Sequence, residues 1–122
     1  MKTFIPPKKV GAAFATGVWA GDTLYLSGKV GIDPQTGVVA DSAAAQTRFA
    51  IEGIAAILNE QGLSLSDVVK VNCILTNKDD MADFNSVYME YFGGQVPART
   101  LMFVAGLAGK ATVELDVIAV KG

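Results

Sequence analysis

The sequence predicts an α+β domain in the order ββ-α-β-α-ββ, one sheet with two helices on one of its faces. Most of the patterned segments alternate apolar and polar residues, whereas only two show apolar recurrence at three and four. Two helices can cover only one face of a sheet built from that many strands. At 122 residues, 51% apolar and 18% charged, the chain forms a single domain spanning 1–122 and is too apolar for disorder. No repeat or linker divides it. A domain of this size buries roughly two-thirds of the surface its unfolded chain exposes. Apolar area is therefore left over, and such a surplus marks a partner.

The elements follow in order. Residues 13–19 and 23–28 flank Gly21-Asp22, a turn signal between β-rich runs, and predict a hairpin. In its second strand Leu24 and Leu26 share one face, and Thr23, Tyr25 and Ser27 the other. The stretch Gly31 to Gly37 is a loop by its Pro and Gly content. Asp41 and Ser42 offer N-caps for a helix that ends at Gly62, with Thr47, Ile51, Ile54, Ala55 and Leu58 on one face. VVKVNCILT, after Ser66-Asp67, is a strand in which Val69, Val71, Cys73 and Leu75 alternate with Lys70 and Asn72. Asp79 or Asp80 caps a second helix through Phe92, with Phe84, Val87, Tyr88 and Tyr91 at intervals of three and four, and Gly93-Gly94 ends it. Two strands, Arg99 to Ala105 and Ala111 to Val120, close the chain as a hairpin through Gly106 and Gly109. In the last, Val113, Leu115, Val117 and Ala119 face the helices, while Glu114, Asp116, Ile118 and Val120 face away and need a cover.

Composition narrows the chemistry. There is no histidine, which removes Ser-His-Asp and Cys-His pairs and the usual zinc sites. The one cysteine, Cys73, cannot form an internal disulfide. The N-terminus lacks the apolar core of a signal peptide, and Val10 to Gly21, interrupted by glycines, is too short to span a membrane. A soluble cytoplasmic protein is expected, with no membrane partner. A net charge of −2 and a pI near 4.9 argue against a nucleic-acid partner. Lys8-Lys9 reads as a solvated pair.

The groups left for chemistry are carboxylates, lysines, hydroxyls and two arginines. Arg48, inside the first helix, reads as a helix-pairing residue. Arg99 follows Pro97-Ala98 at the start of a strand, which suits a guanidinium held for bidentate carboxylate recognition. If the closing hairpin turns near Ala108, Leu101 lies roughly opposite Glu114 and Arg99 roughly opposite Asp116, so Arg99 and Glu114 become diagonal neighbours. Spacing alone leaves two readings open: a cross-strand ion pair, or a site in which Arg99 holds a carboxylate and Glu114 handles water. Ser27 has no base beside it and reads as a hydrogen-bonding residue rather than a nucleophile. Asn85 reads as a surface or capping residue unless the helix turns it into a cleft, and Tyr88 and Tyr91 read as core. Gly28, Gly31 and Gly37 do not form a dinucleotide-binding fingerprint.

Residues 17–37, the pairing of Asn85 with Tyr88 in DFNSVYMEYF, and PARTLMFVAGLAGKATVELDVIAV at 97–120 resemble the RidA (YjgF) family of reactive intermediate/imine deaminases. The similarity runs over nearly the whole chain. It implies a chorismate-mutase-like fold, a homotrimer with three clefts between subunits, and no metal or organic cofactor. It also implies hydrolysis of enamine and imine products such as 2-aminoacrylate and 2-iminopropionate to a 2-keto acid and ammonia. On this resemblance Arg99 matches the family's carboxylate-gripping arginine and Glu114 the glutamate that positions water. Ser27, Gly28 and Asn85 match pocket residues, and Phe14 and Leu101 stand where the family commonly has tyrosine and cysteine. Lys29 stands where glutamine is frequent. Phe14 removes a hydroxyl from the cleft and Leu101 adds a branched apolar group, which bears on substrate size and rate. Two other readings are a non-catalytic module binding a 2-keto acid or amino acid, and a ribonuclease or translation inhibitor. The acidic balance and the missing histidine count against RNA cleavage.

Overall fold

The computed structural model describes residues 1–122. Seven strands form one sheet: β1 (Lys2–Ile5), β2 (Gly17–Ala20), β3 (Thr23–Leu26), β4 (Lys29–Val30), β5 (Val68–Leu75), β6 (Ala98–Phe103) and β7 (Val113–Val120). Helices α1 (Ala43–Glu60) and α2 (Met81–Phe92) pack on one face, so the fold is α+β as the periodicity predicts. The strand order is β1-β2-β3-β7-β5-β6, with β4 also pairing with β7. The chain's final strand thus occupies the middle of the sheet.

Three features depart from expectation. The strand β1 has no counterpart among the predicted elements, and residues 13–16 lie in the loop before β2 rather than in a strand. The register of β5 slips between Val68 and Lys70, which buries Val68 and leaves Val69 exposed instead of in the core. Most consequential, β6 and β7 do not form a hairpin. β5 lies between them, parallel to β6 and antiparallel to β7. The β5-α2-β6 crossover explains this, because a helix between two strands returns the chain in the parallel sense.

The helices are set by local signals. Ser42 rather than Asp41 caps α1, its hydroxyl accepting from the Ala45 N–H at 3.1 Å. Gly62 (φ 79°) ends it in the left-handed conformation, with the Leu63 N–H donating to the Leu58 carbonyl at 2.8 Å and the Gly62 N–H to Asn59 at 3.1 Å. Asn77 caps a short 3₁₀ turn (Lys78–Asp80) that leads into α2. The buried stripe of α1 includes Thr47, Ile51, Ile54 and Leu58, while Ala55 is only half-buried. Arg48 does pair the helices, donating from Nη1 to Glu90 Oε1 at 3.0 Å.

The core lies between the helices and the inner residues of β3, β5 and β7, among them Leu24, Val71, Cys73, Leu115 and Val117. Gln46 is buried within it. Its Nε2 donates to the Ala40 carbonyl at 3.0 Å and its Oε1 accepts from Thr112 N–H at 2.9 Å and Val113 N–H at 3.2 Å, which fixes where β7 begins. On the opposite face Phe4, Val18, Tyr25 and Ile118 stand side by side across four strands, with Phe4 and Tyr25 exposed. No helix covers this face of the protomer. No helix of the protein is long and apolar enough to cross a membrane.

Candidate active site

Arg99 lies on the helix-side row of β6, in register with Val71, and reaches toward α2. Its Nη1 donates to Asn85 Oδ1 at 2.8 Å, and its guanidinium carbon lies 5.0 Å from the centre of the Tyr88 ring. Asn85 and Tyr88 are three apart in α2, so one helical face supplies both contacts. Asn85 is therefore turned toward Arg99 and is not a cap. No carboxylate pairs with Arg99, and the residue is exposed in the protomer. Its remaining N–H groups are available to a ligand. Leu101, two residues along the same row, is half-buried against the core.

Glu114 lies on the other face of the sheet. In β7 it alternates with the buried Val113 and Leu115, and it registers with Ile74 of β5 and Val30 of β4. Its carboxylate rests against Gly28, where a Cβ would collide with Oε2. The expected diagonal pair is therefore corrected: Arg99 and Glu114 are separated by β5 and point to opposite sides of the sheet. The intramolecular ion pair does not exist. Asp116, expected opposite Arg99, instead accepts from Asn72 Nδ2 at 2.9 Å.

Gly28 opens onto a cavity of about 310 Å³ that also takes in Phe14 and Ser27. Ser27 is committed to structure: its hydroxyl donates to the Ala15 carbonyl at 2.6 Å, and its N–H to the Thr16 carbonyl at 3.1 Å. These bonds, with Thr16 Oγ1 donating to the Pro6 carbonyl at 2.7 Å, hold the loop that carries Phe14 over the cavity. Phe14 itself is largely exposed. Lys8 and Lys9 stand at the rim of this cavity; both are exposed, as expected of a solvated pair, and Lys8 also makes a surface ion pair with Glu60 at 3.2 Å. Lys29 lines it too, its pKa lowered by burial and by the neighbouring Lys8 charge.

The site residues thus fall into two groups on one protomer. Arg99, Asn85 and Leu101 gather where β6 meets α2, and Phe14, Ser27, Gly28 and Glu114 gather around the start of β4. The buried Tyr88 belongs to the first group as the ring beneath Arg99, a role that its helical spacing alone does not distinguish from packing. Cys73 lies below the same region, where burial pushes its thiol up to about 12 and keeps it protonated.

Comparison with known proteins gives the family. Residues 7–121 match the family model described as endoribonuclease L-PSP. A RutC family protein of Pyrococcus horikoshii is 40% identical over 116 residues, covering 94% of this chain and 91% of that protein. The rat 2-iminobutanoate/2-iminopropanoate deaminase is 33% identical over 117 residues, covering 95% of this chain and 85% of its own. The crystal structure of RidA from Psychrobacter sp. PAMC 21119 superposes with a TM-score of 0.86 at 34% identity, covering 96% of this chain and 94% of that one. The chain belongs to the RidA family. The matched segment includes Phe14 and Ser27 as well as Arg99 and Glu114.

Proposed function

We propose that this RidA-family protein hydrolyses small enamine and imine intermediates, of the 2-aminoacrylate and 2-iminopropionate type, to a 2-keto acid and ammonia, in clefts between copies of itself. The observation that carries the reading is the setting of Arg99: held by Asn85, stacked on Tyr88, without an acidic partner, and open to solvent. A guanidinium so fixed grips a carboxylate through two hydrogen bonds and thereby places the adjacent C=N carbon. Glu114 then holds a water and accepts its proton as the oxygen bonds to that carbon. The C=N π electrons move to nitrogen, which takes up a proton. The tetrahedral adduct then gives up its hydroxyl proton, which passes through Glu114 to the amino nitrogen, and as the C–N bond breaks ammonia leaves and the oxygen becomes the keto oxygen. Backbone groups near Leu101 contact the imine nitrogen or the oxygen that replaces it.

Association is supported by the separation of the two groups. Arg99 and Glu114 face opposite sides of their own sheet, so a site holding both takes one residue from each of two copies. The row Phe4, Val18, Tyr25 and Ile118 supplies apolar area for such contact, and we read the assembly as a homotrimer. The rat relative's name, an iminobutanoate/iminopropanoate deaminase, supports the reaction class. The family model's description names an endoribonuclease, but an exposed arginine opposite a single carboxylate suits a small carboxylic acid better than a phosphodiester chain.

The test is a coupled assay in which 2-aminoacrylate is generated enzymatically and 2-keto acid release is followed. Acceleration by the native protein and its loss in both Arg99→Ala and Glu114→Gln is the expected result. Mixing and reassembling the two inactive variants should restore part of the activity, because some clefts then contain both native residues. No acceleration at any protein concentration overturns the reading. Calorimetric binding of a 2-keto acid without turnover would replace it with a binding module.

A further inference from the structure

The cavity between α1 and the loop before β2 lies apart from the carboxylate of Glu114. In β4, Lys29 registers with the buried Leu115 on the helix side, whereas Val30 registers with Glu114 on the other face. Neither Glu114 nor Arg99 is among the cavity's walls. One side of α1 supplies much of them, since Phe49, Gly53 and Ile57 recur at intervals of four. Gly53 stands in the middle of the helix, where a glycine costs about 1 kcal/mol relative to alanine. What it leaves is a notch. The Lys29 stem crosses that notch, and a Cβ at position 53 would lie 3.3 Å from Lys29 Cε. Lys29 is half-buried, yet it has no ion pair and no side-chain hydrogen bond. No aspartate or glutamate lines the cavity; the exposed Lys8 and Lys9 stand at its rim, and Glu60, which pairs with Lys8, lies outside it. An ammonium held against apolar walls without a counter-charge is costly, and an anion entering the cavity relieves that cost. Burial and the Lys8 charge both lower the Lys29 pKa, each acting against an unpaired cation.

We propose that this cavity is a second binding site, separate from the hydrolytic cleft, for a small monocarboxylic acid with an apolar body, its carboxylate at Lys29 and its body between Phe14 and Phe49. The volume of about 310 Å³ lies at the lower end of the range for small-molecule sites. The ligand class follows from the wall residues. A single inner ammonium matches a single negative charge, and no arginine is present to grip a phosphate in the bidentate manner. The rings of Phe14 and Phe49 ask for an apolar body that takes them out of water. Lys8 and Lys9 add a long-range attraction for anions from the rim. The site does not rest on the imine-hydrolysis reading, because Arg99, Asn85 and Glu114 take no part in it.

The experiment is titration calorimetry with 3-phenylpropionate, the neutral 3-phenylpropanol and acetate, on the native protein and on Arg99→Ala, which removes the exposed guanidinium outside the cavity. In both proteins the aromatic acid should bind about tenfold or more tightly than the alcohol, the scale of one charge-assisted hydrogen bond. Acetate, which leaves the two rings in water, should bind more weakly than the aromatic acid by a similar factor or more. Added to Arg99→Ala, Lys29→Met should erase the advantage of the acid over the alcohol. Gly53→Leu keeps the charge but fills the notch, and should weaken binding of the acid about tenfold. Amide chemical shifts that move on titration should centre on Lys29, Phe49 and Gly53. Absence of binding, equal binding of acid and alcohol, an advantage that persists in Lys29→Met, or binding lost in Arg99→Ala overturns the proposal. Failure of the native protein to hydrolyse imines bears on the cleft alone, so the two readings fail separately. Lys29→Met keeps the apolar stem and removes an unpaired charge, and circular dichroism of each variant confirms that it is folded.

Discussion

The guanidinium carbon of Arg99 lies over the Tyr88 ring, 5.0 Å from its centre, while the hydroxyl of the same tyrosine is buried without a hydrogen-bond partner. One side chain thus supplies a useful face and a costly tip. A cation over an aromatic face contributes about 0.5–1 kcal/mol at exposed sites, whereas an unpaired buried hydroxyl costs about 1–3 kcal/mol.

Tyr88→Phe should therefore raise stability by about 1 kcal/mol, measured by urea unfolding, and leave KM for the imine nearly unchanged. Tyr88→Leu removes the ring that Arg99 rests on, and should raise KM several-fold with a smaller change in kcat. A Phe variant that loses activity as fully as the Leu variant would show that the hydroxyl, rather than the ring, serves Arg99.

Gly28→Ala probes Glu114 from behind. The added methyl would meet the end of a flexible carboxylate side chain, which can swing aside, so the fold should lose about 1 kcal/mol or less. The displaced carboxylate no longer holds its water in place, and kcat/KM should fall by about tenfold to a hundredfold. Full activity in this variant would argue against Glu114 as the water-holding group.

Cys73 gives the protein a pH signature. Burial raises its pKa from 9.0 to about 12, so between those values the native protein keeps a proton that the unfolded chain has lost. The native state binds more protons in that window, and stability falls as pH rises through it, by at most about 1.4 kcal/mol per pH unit. Cys73→Val has no such proton. Its stability relative to the native protein should improve steadily from about pH 9 to about pH 12. A constant difference across that range would count against the shift.

Much of this fold was legible from local pattern. The stripe of Ile51, Ile54 and Leu58, the Ser42 cap and the Gly62 stop all describe α1 correctly, because each is decided within a few residues of itself. Strand pairing was less legible. Two strands separated by Gly106 and Gly109 read as a hairpin, yet β5 takes both as neighbours, and the cue was the helix between β5 and β6. The short edge strand β1 carries no alternation long enough to detect. At the site, residue types were readable but their grouping was not. Arg99 and Glu114 changed from assumed neighbours to residues on opposite faces once the register was known, and Asn85 moved from the surface to Arg99. Gln46 carries no sequence signal, since a glutamine gives no sign that it will be buried and bridge Ala40 to the start of β7.

The central place of β7 also constrains how the molecule is made. β1, β2 and β3 form one ribbon and β5 with β6 another, and the two are joined edge to edge only through Val113–Val120. During synthesis both ribbons emerge before the strand that unites them, and the apolar side of α1 must wait without its full floor. Closure of the sheet is thus a late step, completed only after nearly all of these 122 residues have left the ribosome. Until then the exposed edges of β3 and β5 are the places where a nascent chain is open to wrong pairing.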